Sequence, residues 1–250
     1  MKSLIIAFAM YSKFPMPRVD WEKKALSWAL CWFPLVGLAV GAVLWLWLAL
    51  AGWLGFGAVF TAALALLLPI ALSGGIHLDG FCDTCDALSS HQSRERKLEI
   101  MADPHVGAFA VQGCGLLLLL TFGLWCQAER TDGGLWAALL LVPVLSRGLS
   151  AFAALTLPNA RGGGLLAAVT GERRRGRWLP LCGALLCAAG LAVLKPGYLW
   201  IGGAALLALW YYVKTAKREF GGTTGDLAGW FLQLCELAGL VLAQSLEGVL

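Results

Sequence analysis

Residues 26–51 read LSWALCWFPLVGLAVGAVLWLWLALA and contain no Asp, Glu, Lys or Arg. A helix that crosses a membrane needs about 20 mainly apolar residues, because the hydrocarbon core of a bilayer is about 30 Å thick. The rest of the chain has the same character. Of its 250 residues 59% are hydrophobic and 14% are charged, and its mean hydropathy is +0.75. These values exclude an ordinary soluble domain and predict a polytopic membrane protein.

Further apolar stretches follow, so the chain is predicted to cross a membrane about seven times. The predicted spans are 26–51, 54–73, 106–128, 134–157, 178–194, 197–213 and 227–246. The run from Leu4 to Met10 is too short to cross and is expected to lie at the interface or pack against the bundle. The predicted fold class is all-α: an integral membrane helical bundle with amphipathic cytoplasmic helices, forming a single domain over 1–250.

The positive charges predict the orientation of this bundle. Of the 19 Lys and Arg residues, most lie before the first span or between spans two and three, four and five, or six and seven. These segments share one side of the membrane, which is cytoplasmic by the positive-inside rule. The net charge of +4 is thus explained by topology and anionic membrane lipid, and no nucleic-acid partner is expected.

The most informative polar segment is GGIHLDGFCDTCD, residues 74–86. On a helix, offsets of four and seven residues place Asp79, Asp83 and Asp86 within about 60° of one another. The opposite face is apolar: Leu78, Phe81, Cys85 and Leu88. Clustered carboxylates repel one another unless a cation offsets their charge, and oxygen ligands favour Mg²⁺ or Mn²⁺ over zinc. The three aspartates are candidate metal ligands; the alternative is a solvated face paired with Arg and Lys.

Two further segments lie on the predicted cytoplasmic side. Glu99 and Asp103 follow Glu95 at helical spacing, and Pro104 is expected to end that helix. The glycine-rich segment Gly221–Asp226 precedes the last span, where free backbone N–H groups could meet an anion. Thr224 or Asp226 could equally serve only as the cap of that helix.

Arg147 is a charged residue that lies within a predicted span, the fourth. A guanidinium among apolar helices is costly unless it faces a polar cavity or a partner, so such residues are functional candidates. A phosphate or one of the aspartates is the expected partner. The alternative is a shifted span whose arginine extends to the cytoplasmic interface.

The eight cysteines carry no clear metal signal. Cys82 and Cys85 form a Cys-x-x-Cys pair, but no second Cys or His pair stands at zinc spacing. We interpret the cysteines as small packing residues.

At its polar motifs the chain resembles the cobalamin synthase family, the adenosylcobinamide-GDP ribazoletransferases. The segment from Gly74 to Asp86 is similar to the family signature. Other matching segments are Phe14–Pro17 with Trp32–Gly37, Arg94–Phe109, and Gly221–Asp226 with Glu236. In the second of these, Ala102 and His105 stand where the family usually has Lys and Arg.

The resemblance implies an enzyme in which a hydroxyl of α-ribazole, or of its 5′-phosphate, attacks the cobinamide-linked phosphorus of adenosylcobinamide-GDP and expels GMP. It implies that Asp79, Asp83 and Asp86 are catalytic and hold Mg²⁺. The implied substrate-binding residues are Glu99, Asp103, Gly107, Arg147, Arg161, Gly221, Gly222, Thr224, Gly225 and Asp226. It also implies the bacterial inner membrane, with the active site facing the cytoplasm.

Two other classes compete with this interpretation. A CDP-alcohol phosphotransferase also uses membrane aspartates and a metal, but its aspartates are spaced further apart than Asp79 to Asp86. A transporter would explain Arg147, yet it predicts acids near the bilayer midplane and internal repeats, and the sequence shows neither. The sequence leaves open whether the chain forms a homo-oligomer.

Overall fold

The computed structural model describes residues 1–128, 133–170 and 174–247, and within these ranges it contains helices and no β-strand. Residues 171–173, part of the basic segment between spans four and five, lie outside the described residues. The α-helices are α1 (Lys2–Tyr11), α2 (Lys23–Leu26), α3 (Phe33–Leu54), α4 (Ala58–Ser73), α5 (Ile76–Ser89), α6 (Arg94–Ile100), α7 (Ala108–Ala128), α8 (Gly133–Ala154), α9 (Gly164–Thr170), α10 (Trp178–Leu194), α11 (Leu199–Thr215) and α12 (Gly225–Glu247).

The predicted spans coincide with α3, α4, α7, α8, α10, α11 and α12, which confirms the helical membrane class. Three continuous helical segments of the described chain are long and apolar enough to cross a bilayer alone: 23–54, 108–128 and 225–246. The pair α4–α5 passes the same test only as a unit, and it is bent by 92°. That the shorter helices also cross the membrane therefore stays a prediction.

The bend between α4 and α5 is made by two adjacent glycines. Gly74 and Gly75 have φ values of 67° and 78°, a left-handed conformation that other residues adopt at a cost. The bend turns α5 away from the apolar helix that precedes it. As its pattern predicts, α5 is amphipathic: Phe81 is buried, whereas Asp79 is exposed and Asp83 is partly exposed. We therefore place α5 outside the membrane spans.

Helices α3 and α8 pack with unusually close backbones. A Cβ atom on Gly37 would lie 2.3 Å from the carbonyl oxygen of Pro143, and one on Gly41 would lie 2.3 Å from that of Leu140. Glycine at both positions is what allows this approach, a common device for packing helices in membranes. The N-terminal helix α1 packs on the start of α3, where Ile6 and Ala7 are fully buried, so it is a packed segment.

Segments predicted to be cytoplasmic meet at one end of the bundle. The Lys97 ammonium of α6 lies 2.5 Å from the Glu219 carboxylate, in the turn after α11. Asn159, after α8, forms an isolated parallel bridge with Thr223, before α12. These contacts join segments that are far apart in the sequence, and Asn159 also lines the pocket described next.

Candidate active site

A pocket of about 290 Å³ opens where α5, the segment after α8 and the start of α12 meet. Five of the predicted site residues line it: Asp79, Arg161, Thr224, Gly225 and Asp226. The acidic helix, the basic segment and the glycine-rich segment thus contribute to one cavity, as their common side of the membrane predicts.

Two glycines bring α5 and α12 together at this pocket. A Cβ atom on Gly80 would lie 2.7 Å from the Cα atom of Asp226, and one on Gly229 would lie 3.0 Å from the carbonyl oxygen of His77. Larger residues would separate the helices, because these neighbours are backbone atoms. The contact places Asp226 next to the acidic stripe of α5.

Asp83 lies close enough to the carboxylates of Asp79 and Asp226 for their charges to affect it. Partial burial, followed by the negative charges of Asp79 and Asp226, raises the pKa of Asp83 to about 6, and Arg161 acts in the opposite direction. The cluster therefore favours binding of a cation.

Arg161 is the cation that the structure places against these carboxylates. Its guanidinium Nη2 lies 2.9 Å from Asp226 Oδ2 and donates to the carbonyl oxygen of Met101 at 3.2 Å. The side chain remains 38% exposed, so it can reach a ligand in the pocket. The single positive charge of Arg161 offsets only part of the negative charge of Asp79, Asp83 and Asp226.

The glycine-rich segment has a structural role besides lining the pocket. Thr224 Oγ1 accepts a hydrogen bond from the backbone N–H of Leu227 at 3.1 Å, so Thr224 caps α12. Gly221 has a φ of 75°, and a Cβ on Gly222 would lie 2.3 Å from the carbonyl oxygen of Pro158. Glycine is needed at both positions for the bridge between residues 159 and 223. Neither glycine lines the pocket.

Asp86 has different surroundings from the other two aspartates of the stripe. Its Oδ2 accepts the backbone N–H of Gly107 at 2.7 Å, and its Oδ1 accepts that of Ala110 at 2.8 Å. Both oxygens thus bind N–H groups at the start of α7. A Cβ atom on Gly107 would lie 2.6 Å from this carboxylate, which explains the glycine there.

Glu99 and Asp103 lie on the exposed surface beside the site and do not line the pocket. Glu99 pairs with Arg96 at 2.7 Å. The backbone N–H and ring of His105 hold the pKa of Asp103 below its ordinary value. The predicted helix around them ends at Ile100, so Asp103 lies in the following turn.

Arg147 is buried between helices, with 2% of its side chain exposed. Its Nη1 lies 2.5 Å from Glu236 Oε1 on α12, and its guanidinium lies over the ring of Phe33. In this structure Arg147 therefore pairs with Glu236, and not with one of the aspartates that the sequence predicts as its partner. Arg147 lines a separate cavity of about 80 Å³ with Glu236 and His77.

Within the described ranges, no three His, Cys, Asp or Glu side chains come together closely enough to hold a metal ion. The predicted set Asp79, Asp83 and Asp86 is thus not assembled as a metal centre. The donor chemistry still suits a hard divalent cation, since carboxylates dominate the charge at this end of the pocket.

Further residues that line the pocket were not predicted as site residues from the sequence. Asn159 and Ser150 line it, as do apolar side chains of α1, α3, α9 and α12. The position of Asn159, two residues before Arg161 and a run of glycines, is a signal that could have identified it. Apart from Phe33 and Ile76, which lie in segments that resemble the family, the apolar side chains had no such signal, because they look like any other packing residues.

Comparisons with known proteins agree with the motifs. The model of the family Cobalamin-5-phosphate synthase matches residues 3–244. A relative from Lachnoclostridium phytofermentans, named adenosylcobinamide-GDP ribazoletransferase, is 41% identical over 254 residues, which cover 100% of this chain and 96% of the relative. No solved structure matches the chain.

Two further relatives carry the same name. One from Pseudomonas entomophila is 43% identical over 219 residues (85% of this chain and 86% of the relative). One from Clostridium botulinum is 32% identical over 248 residues (97% and 96%). Because the family model and these relatives match nearly the whole length of the sequence, the chain belongs to the cobalamin-5-phosphate synthase family.

Proposed function

We propose that this chain is an adenosylcobinamide-GDP ribazoletransferase. It transfers the adenosylcobinamide phosphate group to α-ribazole or its 5′-phosphate and releases GMP. The observation that carries this proposal is the single pocket in which the acidic helix, Arg161 and the start of α12 meet. Family membership and the name of the relatives support it.

The residues of the pocket suit a transfer between phosphate groups. Arg161 is partly exposed and would bind a phosphate oxygen, as guanidinium groups commonly do. An aspartate of α5 would accept the proton of the attacking hydroxyl. Gly225 leaves room at the start of α12 for a ligand to approach the backbone.

Mg²⁺ is the cofactor we propose for this site. Asp79 and Asp83, together with Asp226, are the carboxylates that fit it best, and their side chains would have to turn towards one another. When bound, the ion would neutralise charge on the diphosphate. Asp86 remains a candidate ligand from its motif, although its oxygens already accept hydrogen bonds from α7.

We further propose that the protein lies in the bacterial inner membrane with this pocket facing the cytoplasm. The bias of Lys and Arg and the meeting of the positively charged segments at one end of the bundle support this orientation.

The proposal is tested by measuring GMP release from adenosylcobinamide-GDP and α-ribazole by the purified protein in detergent, with and without Mg²⁺. We expect metal-dependent GMP in the wild type and at least a hundredfold loss in Asp83→Asn, since one preorganised electrostatic contact is often worth about that much. Asp20→Asn is the matched control, because Asp20 is exposed and does not line the pocket. Unchanged turnover and metal dependence in folded Asp83→Asn would refute the assignment.

A further inference from the structure

The pocket has a polar rim and an apolar wall. The rim contains the groups already described, with Asn159 beside Arg161. The wall is formed by side chains from α1, the short helical turn before α3, α3, α9 and α12: Tyr11, Leu30, Phe33, Leu166, Val169 and Leu232. Leu30, Phe33, Val169 and Leu232 are each less than 5% exposed, so most of the wall is shielded from solvent.

The size of the pocket limits what can occupy it. Its volume of about 290 Å³ lies just below the range of small-molecule sites, which run from about 300 to 1,000 Å³. A corrinoid ring with its adenosyl group and nucleotide is several times larger. A single nucleoside with a bicyclic base is of the right size.

The chemistry of the wall separates the two nucleosides of the reaction. Guanine has several hydrogen-bonding groups on its edge, and these would be left unpaired against apolar side chains at a substantial cost. The base of α-ribazole is a dimethylbenzimidazole, whose edge carries methyl groups and whose free ring nitrogen accepts one hydrogen bond. His77 also lines the pocket; it is 5% exposed, and its Nε2 has no hydrogen-bond partner among the described residues.

We propose that this pocket is the acceptor subsite, with the benzimidazole of α-ribazole against the apolar wall and its ribose at the rim formed by Asn159 and Arg161. This inference rests on the proposed function and assigns α-ribazole, the smaller of the two substrates, to this pocket. The corrinoid substrate then lies outside the pocket and presents its diphosphate to the acidic rim. Leu166 and Leu232 become residues that determine specificity for the base.

The test compares two substitutions that lie two residues apart on α9. Leu166→Trp fills part of the pocket beside the apolar wall. Ala168→Trp is the matched control, because Ala168 is exposed and does not line the pocket. We expect Leu166→Trp to raise KM for α-ribazole about tenfold or more, the scale on which small volume changes in apolar pockets act. KM for adenosylcobinamide-GDP should not change, and Ala168→Trp should resemble the wild type.

A second pair of variants covers the case in which the tryptophan prevents folding. Leu166→Ala and Leu232→Ala enlarge the pocket at its apolar wall. Each should reduce the preference for α-ribazole over the riboside of unsubstituted benzimidazole. The proposal is wrong if the wall variants raise KM for adenosylcobinamide-GDP instead, or if they leave both KM values and this preference unchanged.

Calorimetric titration with α-ribazole alone separates this inference from the proposed function. Binding that is lost in Leu166→Trp and kept in Ala168→Trp supports the subsite, even if the wild type releases no GMP and the proposed reaction fails. A wild type that releases GMP while Leu166→Trp binds α-ribazole with unchanged affinity overturns the subsite and leaves the reaction intact.

Discussion

Asp83 and Asp86 lie three residues apart on α5, yet they have different surroundings. Asp83 lies near Asp79 and Asp226, whereas both oxygens of Asp86 accept backbone N–H groups at the start of α7. Helical periodicity cannot distinguish them, because it shows only that they share a face. At the scale of a residue, Asp83 therefore contributes negative charge beside the pocket, whereas Asp86 caps α7.

This difference predicts opposite effects on stability. Asp86→Ala should lower the free energy of unfolding by about 0.5–2 kcal/mol, the usual value of a helix cap. Asp83→Asn should leave it unchanged or raise it, because the substitution removes repulsion from Asp79 and Asp226. Thermal unfolding of both variants in detergent without metal measures the effect. Equal destabilisation by the two substitutions would contradict the cap.

At the scale of elements, the Arg147–Glu236 pair joins α8 to α12. Ser146 Oγ also donates to Glu236 at 2.9 Å, so the carboxylate is held by two neighbouring residues of α8. A buried charge that loses its partner is costly, whereas replacing both partners by apolar residues is often neutral.

We therefore expect Arg147→Met to lower the free energy of unfolding by about 3–5 kcal/mol. The double variant Arg147→Met/Glu236→Leu should recover most of this loss, because no unpaired charge remains. A double-variant cycle of melting temperatures measures the coupling. If the double variant is as unstable as the sum of the singles, the pair is not the reason for the burial of Arg147.

The Lys97–Glu219 pair joins α6 to the turn before α12, and it makes stability depend on pH. The hydrogen bond from Lys97 lowers the pKa of Glu219 below its ordinary value of 4.5. The pair thus contributes its full stability above that value and loses it as the pH falls through the lowered pKa. The melting temperature of the wild type should exceed that of Glu219→Gln by a constant amount between pH 7 and about 5.

Below about pH 4.5 this difference should shrink, because Glu219 is then protonated in the unfolded wild type. The difference in melting temperature between the wild type and Lys97→Met should shrink over the same pH range. A difference that grows on acidification would show that the pair does not stabilise the fold.

At the scale of the whole molecule, sequence segments far apart meet at one end of the bundle and form the pocket. If this end faces the cytoplasm, a cysteine in place of His105 should react with a membrane-impermeant maleimide only in inside-out vesicles. A cysteine in place of Gly57, in the link between α3 and α4, should react only in spheroplasts. Both positions are exposed, and the parent protein gives the background of its own cysteines. Labelling of both from the same side would contradict the topology.

The sequence by itself determined the class of the protein and its family. The length of an apolar run, the position of positive charges and the order of motifs are local properties, so they can be read without knowing which helices touch. The amphipathic α5 was predictable for the same reason, as was the meeting of its acidic face with the positively charged segments at one end.

Only the tertiary structure decided which of these residues share a pocket. Asp226 joins the acidic stripe because Gly80 and Gly229 let two helices approach closely, and Arg147 pairs with Glu236 because α8 packs on α12. The apolar wall likewise consists of residues from α1, the short helical turn before α3, the start of α3, α9 and α12. These are contacts between residues distant in the chain, and they depend on backbone distances that no local pattern encodes.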